Sequence, residues 1–222
     1  NKLPHAAAIA LNTFQGLNAG MDAEISSVFK KYLPVGPFNL LSPPPAQEAE
    51  SESDRSLFSW LDRQGPATAA YVSYGNVMTP PRAELEELAS GLEESGTPFL
   101  WSLKERSMED LPEGFLDRTR GRGLVLPWVP QARVLGHGAV GAFVTHCGWN
   151  SLMEGIASGV PMICRPFLGD QPSNARLISH VWKSGVAFER GNVTREEMAK
   201  LLNVVLKEGE GKKMRERARE LK

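Results

Sequence analysis

Apolar positions in this chain follow two rhythms. Short unbroken apolar runs at residues 69–74, 98–103, 123–126, 142–145, 160–164 and 186–188 are too brief for helices and rich in strand-favouring side chains. Between them, apolar residues recur three and four apart, as in 82–94, where Leu85, Leu88 and Leu92 share one helical face. Further helices are predicted near Ser151, Asn174 and Arg195. Strands alternating with helices imply parallel pairing through right-handed crossovers. The predicted fold is therefore α/β, a Rossmann-like, doubly wound parallel sheet with ligands at the carboxyl ends of its strands. Thr194-Arg-Glu-Glu197 reads as a capping box, hydroxyl and carboxylate satisfying helix-end amides reciprocally.

Ahead of this alternation, the run 6–14, closed by Gly16, predicts a buried strand and 21–31 a helix. Residues 42–54 combine Pro43-Pro44-Pro45 with Glu48, Glu50, Glu52 and Asp54. Such a composition buries little and stays extended. It reads either as a surface loop of one domain or as a linker, 42–55, between a short segment 1–41 and a domain 56–222.

Composition narrows the function. With 222 residues, 41% of them hydrophobic, the chain has enough apolar material for one sizeable core. A formal charge of -1 provides no global field for nucleic acid or an anionic membrane, so any phosphate chemistry is local. Cys147 and Cys164 lie in separate apolar runs without a CxxC pair. They are expected to be reduced thiols of a cytoplasmic protein, not a disulfide framework or zinc site. No apolar run is long enough to span a bilayer. The start lacks an initiator Met and the end falls inside a helical pattern, so a piece of a longer protein is expected.

The chemistry concentrates in residues 128–171. There an apolar strand runs into His146-Cys-Gly-Trp-Asn-Ser151 and then into a helix. Unpaired amides and the positive end of the helix dipole make such a junction an anion site, and Gly148 permits close approach to the backbone. Two structural alternatives stand beside this reading. Ser151 and Glu154 have capping-box spacing, and His146 has no carboxylate nearby in sequence that would mark it as a base.

Residues 128–171, from Trp128-Val-Pro-Gln131 through His146-Cys-Gly-Trp-Asn-Ser151 to Asp170-Gln171, resemble the donor-binding box of plant family 1 UDP-glycosyltransferases. Weaker resemblance covers 6–14, Val35-Gly-Pro37, 71–75 and 174–182, particularly to flavonoid 3-O-glucosyltransferases. The resemblance implies the C-terminal domain of a GT-B enzyme, with 1–41 as the remnant of an N-terminal acceptor domain. It assigns Trp128 to stacking on uracil, the Val129 backbone to the uracil edge, Gln131 to the ribose side and Glu154 to the ribose hydroxyls. His146, Asn150 and Ser151, with Gly148, would hold the diphosphate. Asp170 and Gln171, helped by Trp149, would hold the sugar, the terminal Gln pointing to glucose. Ser73 and Asn76 fall on another phosphate turn, although the family usually has Ser-Phe-Gly followed by Ser or Thr where this chain has Ser73-Tyr74-Gly75-Asn76. An ordinary strand-to-helix turn is the alternative there.

The implied activity is inverting transfer of glucose from UDP-glucose to a small aromatic acceptor, without metal or other cofactor. The general base, a histidine with its aspartate, is expected in an N-terminal half outside these residues, so this stretch alone is expected to bind donor without turnover. The competing expectation is a non-catalytic α/β module that keeps the box as scaffold. A dinucleotide oxidoreductase is disfavoured because no G-x-G-x-x-G follows the first strand of the alternating region.

Overall fold

The computed structural model describes residues 5–17, 19–41, 51–75, 78–189 and 193–222. They form two compact units, 1–49 and 50–222. In the first, strand β1 (Ile9–Leu11) pairs in parallel with β2 (Tyr32–Pro34) around helix α1 (Ala19–Val28), and a short turn of helix, α2 (Phe38–Leu41), follows. The strand is shorter than the apolar run 6–14, and the helix stops before the predicted 31. Tyr32 belongs to β2 instead, with its hydroxyl donating to Asp22 on α1 at 2.8 Å.

The second unit opens on helix α3 (Glu52–Asp62), which corrects the expected extended connection over 52–55. Residues 42–50 of that expected linker lie outside the described residues. The acidic residues that suggest a linker sit in a first helical turn. Ser51 caps it by accepting from Asp54 N at 3.0 Å, and Glu52 and Asp54 lie at the positive end of the helix dipole. Leu57, Trp60 and Leu61, spaced for one helical face, are buried.

The remaining elements run β3 (Ala69–Ser73), α4 (Arg82–Ser95), β4 (Phe99–Ser102), α5 (Glu105–Met108), α6 (Phe115–Arg118), β5 (Gly123–Leu126), α7 (Gln131–Leu135), β6 (Val140–Thr145) and α8 (Trp149–Ser158). Then come β7 (Met162–Cys164), α9 (Gln171–Arg176) with a π-helical turn at Leu177–Val181, β8 (Gly185–Ala187), α10 (Arg195–Lys207) and α11 (Gly209–Leu221). The six strands form one parallel sheet in the order β5-β4-β3-β6-β7-β8. Every residue of β3 and β6 is buried, as expected for central strands covered on both faces, which is why they read as continuous apolar runs.

Side-chain alternation sends Ala70, Val72 and Tyr74 into a core shared with Leu85, Leu88 and Leu92 of α4 and Met198, Leu202 and Val205 of α10. Helices α4 and α10 approach so closely that a Cβ on Gly91 would lie 2.5 Å from that of Met198. Tyr71 stacks on Phe143, ring centroids 5.2 Å apart.

The capping box at α10 is half formed. Thr194 accepts from Glu197 N at 3.2 Å, but the Glu197 carboxylate accepts from Glu189 N at 2.5 Å and so ties the cap to the segment after β8. Thr194→Ala is therefore expected to cost about 1 kcal/mol in a denaturant titration, the usual weight of one lost cap. An unchanged midpoint would show the cap to be idle.

Candidate functional site

From β3 the chain proceeds outward through β4 to β5, then returns to the middle and proceeds the other way through β6, β7 and β8. Order reverses between β3 and β6, where Ser73 pairs with Thr145 at the carboxyl ends of both strands. Such a reversal is the switch point at which doubly wound sheets hold ligands.

The loops leaving these two strand ends are built for close approach. Gly75 has φ +71°, and a Cβ there would lie 2.9 Å from Cε1 of His146. A Cβ on Gly148 would lie 2.4 Å from His146 Nε2. The imidazole thus sits between two bare backbones. Its Nδ1 is buried and has no hydrogen-bond partner among the described residues. Burial lowers the His146 pKa, only partly countered by the charge of Asp170, which favours the neutral ring. A neutral imidazole has one N–H to donate, the role the resemblance implies.

Cys147, the next residue, takes a left-handed backbone (φ 63°) and its amide donates to Thr145 Oγ1 at 3.2 Å. This sharp turn delivers Gly148 to the cap position of α8, where no side chain caps the helix. Ser151 is therefore the third helical residue, not the cap, and the capping-box alternative for Ser151 and Glu154 is not realised.

Instead, Ser151 and Glu154 meet Gln131 of α7. Gln131 Nε2 donates to Glu154 Oε2 at 2.5 Å and to Ser151 Oγ at 3.1 Å. Its Oε1 accepts from the Tyr71 hydroxyl at 3.0 Å. Three residues before Gln131, Trp128 is 64% exposed at the carboxyl end of β5, whereas neighbouring Val129 is buried. Trp149 and Asn150 occupy the first turn of α8, half-buried and exposed.

Beyond β7, Asp170 and Gln171 open helix α9. Gln171 is buried and its Oε1 accepts from the amides of Phe167 and Leu168 at 2.8 and 3.1 Å, fixing the preceding loop. Asn174, which sequence reasoning did not assign to the site, donates through Nδ2 to Cys147 O at 2.9 Å and to Asp170 Oδ2 at 2.7 Å. One buried amide thus joins the His146 loop to the Asp170 loop. Its four-residue spacing from Asp170 at a helix start was the available signal.

Arg165 was also missed. Its guanidinium forms a two-pronged pair with Glu84 of α4, at 2.8 and 2.6 Å, and lies over the Phe167 ring at 4.4 Å. Ser73 is buried at the end of β3 and accepts from Gly75 N at 3.4 Å; Asn76 lies outside the described residues. The other predicted residues, Trp128, Val129, Gln131, His146, Gly148, Trp149, Asn150, Ser151, Glu154, Asp170 and Gln171, all lie just beyond the carboxyl ends of β5, β6 and β7 or in the helices leaving them. Among the described residues no cluster of three or more His, Cys, Asp or Glu forms a metal cage, and no helix is long and apolar enough to cross a membrane.

Comparison with known proteins bears on the family and the fold. The family model described as UDP-glucoronosyl and UDP-glucosyl transferase matches residues 47–217. A myricetin 3-O-rhamnosyltransferase of Crocosmia x crocosmiiflora is 54% identical over 98% of this chain and 47% of its own length. Anthocyanidin 3-O-glucosyltransferase 7 of Manihot esculenta is 50% identical over 99% of this chain and 75% of its own. Among solved structures, a UDP-glucose: anthocyanidin 3-O-glucosyltransferase in complex with UDP superimposes with a TM-score of 0.87 at 42% identity, over 98% of this chain and 48% of that one. The chain thus spans about half the length of two of these three relatives.

Proposed function

The chain belongs to the UDP-glucoronosyl and UDP-glucosyl transferase family, and on that premise we propose that its switch point binds UDP-glucose for inverting transfer to a hydroxyl of a small aromatic acceptor such as a flavonoid. The observation that carries this reading is the Cε1–Nε2 edge of His146 set against the bare backbones of Gly75 and Gly148 at the sheet's switch point, with Trp128 exposed beyond the carboxyl end of β5.

Trp128 offers an uncovered indole face to uracil, and the Val129 backbone meets the uracil edge. Glu154 accepts from the ribose hydroxyls while Gln131 supports it. The diphosphate lies over Gly148 against the amino end of α8, within reach of His146, Asn150 and Ser151; Ser151 accepts from Gln131 and keeps its own proton to donate. Ser73 flanks the same oxygens from the β3 side. Asp170 and the Nε2 of Gln171, with Trp149, hold the sugar.

In the transfer, the acceptor oxygen bonds to the anomeric carbon as the bond to the β-phosphate oxygen breaks. The acceptor proton passes to a general base supplied by an N-terminal half, the partner this reading requires. Negative charge grows on the β-phosphate. Donors already aimed there lower the barrier by about 3 kcal/mol each, which assigns His146, Asn150 and Ser151 to the leaving group without a metal. The cytoplasm fits the two buried, unpaired thiols.

The test is a UDP titration followed by indole fluorescence. Saturable quenching is expected, and Trp128→Ala should remove most of the signal and weaken binding about threefold to tenfold, the weight of one aromatic stack. Folded protein that shows no saturable response to UDP overturns the reading. Adding the N-terminal half of a homologous enzyme and supplying a flavonol and UDP-glucose tests transfer. Docked halves that bind UDP without turnover would favour a non-catalytic module.

A further inference from the structure

Tyr71 sits in the centre of the sheet, 1% exposed, yet it ends in a polar group that no step above uses. Its hydroxyl donates to Oε1 of Gln131, the amide that donates from its other end to Glu154 and Ser151. The direction of this relay follows from chemistry. An ionised carboxylate only accepts, so Gln131 must turn its nitrogen to Glu154 and its oxygen to Tyr71, and Tyr71 must donate. The opposite amide orientation would set two oxygens against each other at Glu154 and leave the phenol facing an N–H donor.

We infer that Tyr71 is a positioning residue for donor recognition: acting through Gln131, it fixes the Glu154 carboxylate in the orientation that receives the ribose hydroxyls. The inference rests on the assignment of Glu154 to ribose. Tyr71 is well placed for the role. Its ring is held by Phe143, so the hydroxyl has a fixed position, and burial raises its pKa, with the opposing hydrogen bonds of Ser73 and Ser102 outweighed and the charge of Glu154 adding to the rise, which keeps the proton in place. The relay runs from β3 through α7 to α8 and ties the recognition carboxylate to a fully buried central strand of the domain.

The experiment compares UDP with 2′,3′-dideoxy-UDP, which lacks both ribose hydroxyls, by calorimetric titration of the wild-type chain and Tyr71→Phe. Phe keeps the stack on Phe143 and removes only the hydroxyl, with its bond to Gln131 and its interactions with Ser73 and Ser102. Wild type is expected to prefer UDP, and Tyr71→Phe to weaken UDP binding about threefold to tenfold, the range of one buried hydrogen bond, while leaving dideoxy-UDP unchanged. Loss of packing alone would weaken both ligands together and would overturn the inference, as would a variant that discriminates as strongly as wild type. In a Gln131→Leu background the Tyr71 substitution should have no further effect on UDP; an additive loss would show that Tyr71 does not act through Gln131. A wild-type chain that binds both nucleotides equally would instead remove the ribose assignment itself.

Discussion

Gly148→Ala is expected to weaken UDP binding about tenfold to a hundredfold while shifting the thermal midpoint by only a few degrees, the loss corresponding to one hydrogen bond to a charged group. Gly148 is not required for its dihedral angles, since φ -59° and ψ 144° suit any residue. It is required for space. A methyl group there would lie 2.4 Å from Nε2 of His146 and 3.1 Å from both neighbouring ring carbons. The imidazole can rotate away, which spares the fold, but it then leaves its place between Gly75 and Gly148, and the methyl covers the backbone where a diphosphate would rest. Calorimetric titration with UDP and a thermal melt of the same preparation check both halves of the statement. Wild-type affinity in Gly148→Ala would mean that the diphosphate does not bind at this turn.

Glu84→Ala is expected to destabilise the domain by about 3 kcal/mol, because it leaves the Arg165 guanidinium without its counter-charge in a largely buried position. The side chains of Arg165 and Glu84 are only 11% and 12% exposed, and the carboxylate accepts from two guanidinium nitrogens. Arg165 also donates to Pro166 O and lies over Phe167, so it anchors the start of the loop that ends at Asp170. For a domain of this size the loss should lower the melting midpoint by about 6–12 °C. Replacing both partners, as in Glu84→Leu with Arg165→Met, should recover most of it, since the cost lies in the orphaned charge and not in the absence of the pair. A single variant as stable as wild type, or a double variant worse than the single, would refute this account.

The residues that bear these effects were unequally visible in the sequence. Gly148 stands inside the box that resembles known donor sites, between an apolar strand and a helix start, and that local grammar alone marks it. The Glu84–Arg165 pair joins residues 81 positions apart, and no local pattern links them. The same division runs through the site. The order of short apolar runs and helical stretches was enough to specify a parallel doubly wound sheet, because a fully buried strand must be apolar on both faces. It was also enough to set His146 and Ser151 at a strand-to-helix junction, whereas Trp128, Glu154 and Asp170 joined the site through the resemblance to known donor boxes.

Where local reasoning misled, the physical cause is identifiable. Glu52 and Asp54 carry the composition of a linker, yet three well-spaced apolar residues after them find a core to pack against and make their segment a helix. Glu197 has capping-box spacing, but the amide of Glu189 reaches it through space. Ser151 and Glu154 have it too, and the turn through Cys147 gives the cap to Gly148 instead.

By itself, then, the sequence determined the fold class, the strand ends at which chemistry gathers and the residue types offered there, since these depend on periodicity and on the intrinsic chemistry of single side chains. Tertiary structure alone decided the partners: that Gln131 holds Glu154, that Tyr71 holds Gln131, that Asn174 bridges two loops, and that the His146 ring edge lies between two glycines. Partners are fixed by which elements pack against one another, and a hydrogen bond depends on distances of tenths of an ångström that no spacing along the chain encodes.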